Sequence, residues 1–177
     1  MLGLKRGTVS LVSDHNTWSQ LFDAEKNSLE KILGDNVVAI KHVGSTAIKG
    51  VLAKPIIDIR IAMRLFDDKK LKHIEQILNS LGYTRMHDFP GRIFFAKGPE
   101  EKRTYYISLV KEDDEREWDN TILFRDYLRN HEEAREAYNQ LKQTLLKKYA
   151  DNRTLYTKGK EDFIENIIYK AKLSFKK

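Results

Sequence analysis

The sequence predicts an α+β protein: an N-terminal half of alternating strands and helices, then a helical C-terminal half. Three observations carry this. Five short β-branched and aromatic runs all fall before residue 111, amphipathic stripes lie between them, and from about residue 115 apolar residues recur only at spacings of three and four. At 177 residues the chain is expected to form one domain (1–177), with an α/β core over 1–111 and helices over 112–177 packed on it. A chain of this size buries roughly two-thirds of the surface it exposes when unfolded.

The runs read as strands are "TVSLV" at 8–12, "VVAIKHV" at 37–43, "PIIDIRIA" at 55–62, "RIFFA" at 92–96 and "TYYISLV" at 104–110. Trp18, Leu21, Phe22, Leu29, Ile32 and Leu33 make a helical stripe between the first two, closed by the Asp35-Asn36 turn. Asp67 or Asp68 caps a helix whose apolar positions are Leu71, Ile74, Ile77, Leu78 and Leu81, and Gly82 ends it. Farther on, Trp118 to Leu128, Ala134 to Tyr149 and Phe163 to Ala171 give three more stripes, with hinges at Asn130-His131 and at 150–153.

Composition removes several function classes. The chain has no cysteine, so disulfides, thiolate metal sites and cysteine nucleophiles are excluded. "MLGLKRGTVSLVSD" lacks a long apolar segment, and no stretch approaches the roughly 20 apolar residues of a membrane span, so a cytoplasmic protein is expected. The net charge of +6 resides entirely in residues 142–177, which hold ten Lys/Arg against four Asp/Glu. That excess is either a solvated helical face or a surface for phosphate-bearing ligands.

The chemistry concentrates in "HVGSTAIKGVLAKPIIDIR" at 42–60. A strand ending in Gly44-Ser45 presents free backbone N–H groups and a hydroxyl, a suitable cradle for phosphate oxygens. On the next strand Ile56, Asp58 and Arg60 share one face and Ile57, Ile59 and Ile61 the other, so the charged pair faces away from the isoleucine core. Asp58 is read either as a hard oxygen ligand for Mg²⁺ or as the ion-pair partner of Arg60.

These residues resemble the signature of the GrpB family, in which a His, an aliphatic residue and Gly-Ser-Thr precede "KPIIDI". "LFRDYLRNHEEAREAYNQLKQTL" at 123–145 and "DNRTLYTKGKEDFIENII" at 151–168 are similar to its second and third blocks, so the resemblance spans nearly the whole chain. It implies a nucleotidyltransferase-like fold, a mixed sheet with flanking helices. It also implies that Gly44, Ser45 and Thr46 form the phosphate turn and that Asp58 is the first metal-binding and catalytic acid. Mg²⁺ is the cofactor it implies. Two departures matter: Arg60 occupies the second acid position, and Tyr106-Ile107-Ser108 stands where many members carry His-aliphatic-His. Lys49 replaces a frequent proline and adds a cation near the turn.

With these two metal positions missing, direct anion binding is the better chemistry for the site. Lys54, Arg60, His42 and Arg103 are candidate anion ligands, Arg being able to grip phosphate bidentately. Tyr106, Lys142, Tyr156 and Lys158 are further candidates, the last three because resemblance places them in the later blocks. The expected ligand is a nucleotide or another phosphorylated small molecule, with weak nucleotidyltransferase activity at most. The alternative is a non-catalytic module that binds nucleic acid or protein through the basic C-terminal helices.

Overall fold

A computed structural model describes residues 2–64 and 67–174. In chain order the elements are α1 (His15–Leu33), β1 (Ala39–Val43), β2 (Ile57–Met63), α2 (Asp68–Ser80), β3 (Tyr83–Arg85), β4 (Arg92–Lys97), β5 (Tyr105–Lys111), α3 (Asn120–Asn130), α4 (Glu132–Tyr149), α5 (Arg153–Lys158) and α6 (Glu161–Ser174). The strands form one mixed sheet in the order β1-β2-β5-β4-β3. Only β2 and β5 run parallel, and the crossover between them carries α2 and the β3–β4 pair.

Strand alternation decides what each face does. Ile57, Ile59 and Ile61 of β2 and Ile107 and Leu109 of β5 point to one side, where they meet Trp18, Phe22, Leu29 and Leu33 of α1 and Ile74 and Leu78 of α2. Each such side chain, fully buried, contributes about 1.5–3 kcal/mol. α1 buries those four residues because their spacings of four and seven place them on one helical face. Glu25 of α1 ties down the sheet's far edge, accepting from the Tyr83 hydroxyl (2.9 Å) and the Lys97 ammonium (2.8 Å).

The opposite face of β2 carries Asp58 and Arg60, and helices α3 to α6 lie on that side. α3 is fixed to the end of β1 by Arg125, which donates to the His42 carbonyl (2.9 Å). α3 packs on α6 through the cluster of Phe124, Leu128, Tyr138 and Ile167. Among the described residues no helix is long and apolar enough to cross a membrane.

Three details differ from the sequence expectation. Residues 8–12 are not a strand. Val12 makes an isolated antiparallel pairing with Ala53, while Val9 bonds the Ala150 carbonyl and packs on Leu145 and Tyr156, so the segment lies over the helices and away from the sheet edges. β3 was not anticipated, because three residues with one buried side chain give no period to read. The third C-terminal stripe is preceded by a separate helix, α5, whose first turn is capped by Asn152 accepting from the Leu155 N–H (3.1 Å). Gly159 follows α5 and packs tightly: a Cβ there would lie 2.5 Å from Leu145 Cδ2.

Candidate functional site

Gly44 ends β1 at φ 68°, a left-handed conformation that glycine adopts without strain. Space requires glycine as well, since a Cβ at this position would lie 2.6 Å from Asp58 Oδ2. The strand register explains the approach: Val43 pairs with Asp58, so the next residue turns directly over the carboxylate. Ser45–Ala47 then form a single 3₁₀ turn. Among the described residues, no acceptor takes the N–H groups of Ser45 and Thr46.

The loop after this turn is held from several sides. His42 Nε2 lies 2.9 Å from Thr46 Oγ1, and its ring stacks on Phe22 at 4.7 Å. Both ring nitrogens of His15 meet carbonyls of the loop, those of Thr46 (3.2 Å) and Val51 (3.0 Å). Arg129 of α3 donates twice to the Ala47 carbonyl. Asn139 of α4 accepts from the Leu52 N–H (2.8 Å) and donates to the Gly50 carbonyl (2.8 Å). Loops carry free backbone groups only when something fixes them, and here helices from the distant half do so.

A cleft of about 830 Å³ opens in front of the turn. Gly44, Ser45, Thr46, Lys54, Asp58, Arg60, Tyr106, Lys142 and Tyr156 all line it, together with Arg153 and Lys160. Lys142, 1% exposed, lies 3.4 Å from Ser45 Oγ, donates to the Leu52 carbonyl and sits 4.4 Å from the Tyr138 ring centroid. Burial lowers its ammonium pKa to about 6, with Lys160 and Lys54 adding like-charge repulsion. Lys54 is lowered to about 7, first by burial and then by Arg153 and Lys160, against the attraction of Asp58. Lys160 and Lys54 flank the buried Tyr156 ring at 5.1 and 6.0 Å. Arg153 donates to the Tyr106 hydroxyl (3.0 Å). Among the described residues none of these four cations forms an ion pair with a carboxylate.

Asp58 responds oppositely. Burial raises its pKa, while Lys54, Arg153, Lys160 and Arg60 pull it back. Arg60 lines the same cleft, 8% exposed, but its charge is taken: Glu117 Oε2 lies 3.0 Å away and Thr121 Oγ1 3.4 Å. Arg92 approaches the same Glu117 oxygen at 3.8 Å. Glu117 belongs to a π-helical turn, Glu115–Asp119, capped by Asp114, which accepts from the Glu117 N–H (2.8 Å).

Several expected site residues stand elsewhere or act differently. Arg60, an expected anion ligand, lines the cleft and is ion-paired there with Glu117. His42 stands behind the turn as a prop, and burial followed by the nearby Arg129 and Arg125 lowers its pKa to about 3, so it is neutral near pH 7. Arg103 lies away from the cleft, where it donates to the Gly98 carbonyl and approaches Glu100 at 3.8 Å, closing the turn before β5. Lys158 is exposed and does not line the cleft. Lys49 borders a separate groove with Arg129 and Arg135. Sequence reasoning missed Arg153, Lys160 and Glu117. A signal was present for Arg153, which lies three residues before Tyr156 on α5 with Lys158 off that face, whereas Lys160 stands in the turn after the helix and no period reports it.

Mg²⁺ is the metal that the family resemblance implies for this site. Mg²⁺ demands near-octahedral oxygen coordination. The strand positions beside Asp58 hold Tyr106 on β5 and, two residues on, Arg60 with Ser108 next to it. Among the described residues no group of three or more His, Asp or Glu side chains is placed to hold a metal ion. The residues around Asp58 are mainly cations and do not fit a two-metal centre.

Comparison with known proteins places this architecture. The family model for GrpB protein matches residues 8–170. The chain is 36% identical over 173 residues to the glutamate-rich protein GrpB of Alkalihalophilus pseudofirmus, covering 95% of this chain and 98% of that one. It is 32% identical over 166 residues to the UPF0157 protein YqkA of Bacillus subtilis, covering 93% of this chain and 47% of that longer protein. Among solved structures, the conserved protein GrpB from Enterococcus faecalis matches with a TM-score of 0.84 at 28% identity, over 95% of this chain and 100% of that chain. The Cid1 poly(U) polymerase with MgGTP bound matches with a TM-score of 0.54 at 13% identity, over 77% of this chain and 44% of that one. That second likeness is one of fold, and the fold is nucleotidyltransferase-like.

Proposed function

The chain belongs to the GrpB family, and from that premise we propose that it binds a nucleotide or another phosphorylated small molecule in the cleft before Gly44 and Ser45. One observation carries the reading: Lys54, Lys142, Arg153 and Lys160 line the cleft in front of the turn, Lys142 lying 3.4 Å from Ser45 Oγ, and among the described residues no carboxylate is ion-paired to any of them. Buried charges are ordinarily paired, because desolvating an ammonium without a partner costs several kcal/mol. A site that keeps such groups unpaired is suited to an anion that arrives from outside. Ser45 Oγ and the free N–H groups of Ser45 and Thr46 supply hydrogen bonds to the same anion.

The distant structural neighbour Cid1 was solved with MgGTP bound and in complex with its short product ApU, which supports a nucleotide as the ligand class. Nucleotidyl transfer is the finer reading, with Asp58 as its one carboxylate. It predicts pyrophosphate release from a nucleoside triphosphate that is lost in Asp58→Asn. The binding reading is tested by a thermal-shift screen of nucleotides and phosphorylated metabolites, where a ligand at a hundred times its Kd adds about 2.7 kcal/mol of stability. A ligand that stabilises the wild type and leaves Lys142→Met unshifted supports it. If no phosphorylated compound shifts the wild type, or if both proteins shift equally, the reading fails.

A further inference from the structure

We propose that the cleft takes a polyphosphate free of divalent metal, the four unpaired cations supplying the positive charge, so that Mg²⁺ competes with the protein for this ligand. The proposal rests on the phosphate-binding reading above and names the form of ligand that the site accepts. Three features point to it.

The first is charge matching. Six carboxylates line the cleft, Asp58, Asp114, Glu115, Glu117, Glu161 and Glu165, and of these Asp58 is the one that acts on Lys54 and is acted on by Lys54, Arg153 and Lys160. Counted against Asp58 alone, the four cations when protonated by a bound anion leave three positive charges at the Gly44 end, which suits a di- or triphosphate better than a monophosphate. A polyphosphate already carrying Mg²⁺ brings two fewer negative charges and leaves part of that surplus uncompensated.

The second is the surroundings of Asp58. Its Oδ2 packs against the Gly44 Cα side, and its charge is felt by Lys54, Arg153, Lys160 and Arg60. A divalent cation placed on this carboxylate meets like charge from those side chains and finds one carboxylate where an octahedral ion needs several oxygens. The third is the fate of Arg60. Where a second oxygen ligand could have stood on the same strand face, an arginine is anchored to Glu117 at 3.0 Å and shared with Arg92. That pairing fixes an arginine, which offers no lone pair to a metal ion, on the strand two residues from Asp58.

The experiment is calorimetric titration of the full chain with inorganic tripolyphosphate, with pyrophosphate and orthophosphate alongside, once in EDTA and once in millimolar Mg²⁺. The expected order in EDTA is tripolyphosphate tightest and orthophosphate weakest, with Mg²⁺ weakening tripolyphosphate binding by about tenfold or more. Asp58→Asn, which removes the carboxylate that Lys54, Arg153 and Lys160 act on, is expected to tighten binding in EDTA. Lys160→Ala, a partly exposed side chain whose loss spares the core, is expected to weaken it. Affinity that is unchanged or improved by Mg²⁺ overturns the proposal, as does an Asp58→Asn variant that binds more weakly. Binding seen only with Mg²⁺ overturns this inference and leaves the phosphate-binding reading standing, whereas no binding of any phosphate in either condition overturns both.

Discussion

The two ends of the cleft use the same kind of residue to opposite purposes. At the Arg60 end, two arginines share Glu117, and Thr121 accepts from the first of them, so the charge is consumed by the fold. At the Lys142 end, four cations line the cleft before a glycine turn, and among the described residues no carboxylate is ion-paired to any of them. A paired charge in a protein interior is architecture, and an unpaired one is unfinished until something binds. The same surplus of Lys and Arg in the C-terminal helices that first looked like a basic outer surface is thus partly turned inward: Lys142, Arg153 and Lys160 line the cleft, while Lys147, Lys148 and Lys158 face solvent.

The contrast is broken most forcefully by removing one partner at the paired end. Arg60→Met leaves Glu117 with the more distant Arg92 (3.8 Å) and Arg116 (4.0 Å) and is expected to destabilise the fold by about 3 kcal/mol, read from denaturant unfolding, because a nearly buried carboxylate loses its closest counter-charge. At the unpaired end the sign reverses. Lys142→Met, close in shape and without an amine to desolvate, is expected to raise stability by about 1 kcal/mol while abolishing phosphate binding. An unfolding curve for Lys142→Met that falls below wild type would show that this lysine, too, is structural.

A pH series sharpens the same comparison. In the folded state Lys142 and Lys54 have pKa values lowered to about 6 and about 7, against a reference value of 10.5, so the native state holds fewer protons than the unfolded chain between those limits. Stability from these groups therefore rises as pH increases from about 6 toward 10.5. The rise is expected to be shallower in Lys142→Met. Anion binding reverses the depression, so titrations in buffers of different ionisation enthalpy should report uptake of about one proton near neutral pH.

The smallest effect concerns His42. Its pKa is lowered from 6.5 to about 3, so its contribution to stability is lost as pH falls from 6.5 toward 3. Replacing it by Phe, which preserves the stack on Phe22, is expected to flatten the acid limb by a fraction of the total loss. An unchanged acid limb, measured by thermal melts, would remove His42 from the account.

Much of the turn was legible in the sequence because strands alternate. Once 55–62 is read as a strand, Asp58 must leave the isoleucine face, and a glycine closing the preceding strand must lie near it. Isoleucines at 57, 59 and 61 do enter the core on the other side. What alternation could not convey is which distant helix reaches the turn. Glu117 meets Arg60 across 57 positions of sequence, and only the placement of the π-helical turn beside β2 makes the pair. Arg153 and Lys160 depend on where α5 docks, which the hinge at 150–153 conceals. Lys158 and Arg103 were chosen as cations near the right motifs, yet one faces solvent and the other closes a turn. Charge in a sequence shows how many counter-ions a fold needs and leaves open which ones it keeps for itself.

The central claim is that the unpaired lysines hold a ligand. Its most direct test is calorimetric titration of tripolyphosphate into wild type and Lys142→Met at pH 7 in EDTA. The account predicts binding by the wild type, accompanied by proton uptake, and no detectable heat from a Lys142→Met variant that melts no lower than the parent. Equal binding by both proteins, or binding by the wild type without any proton change, would contradict it.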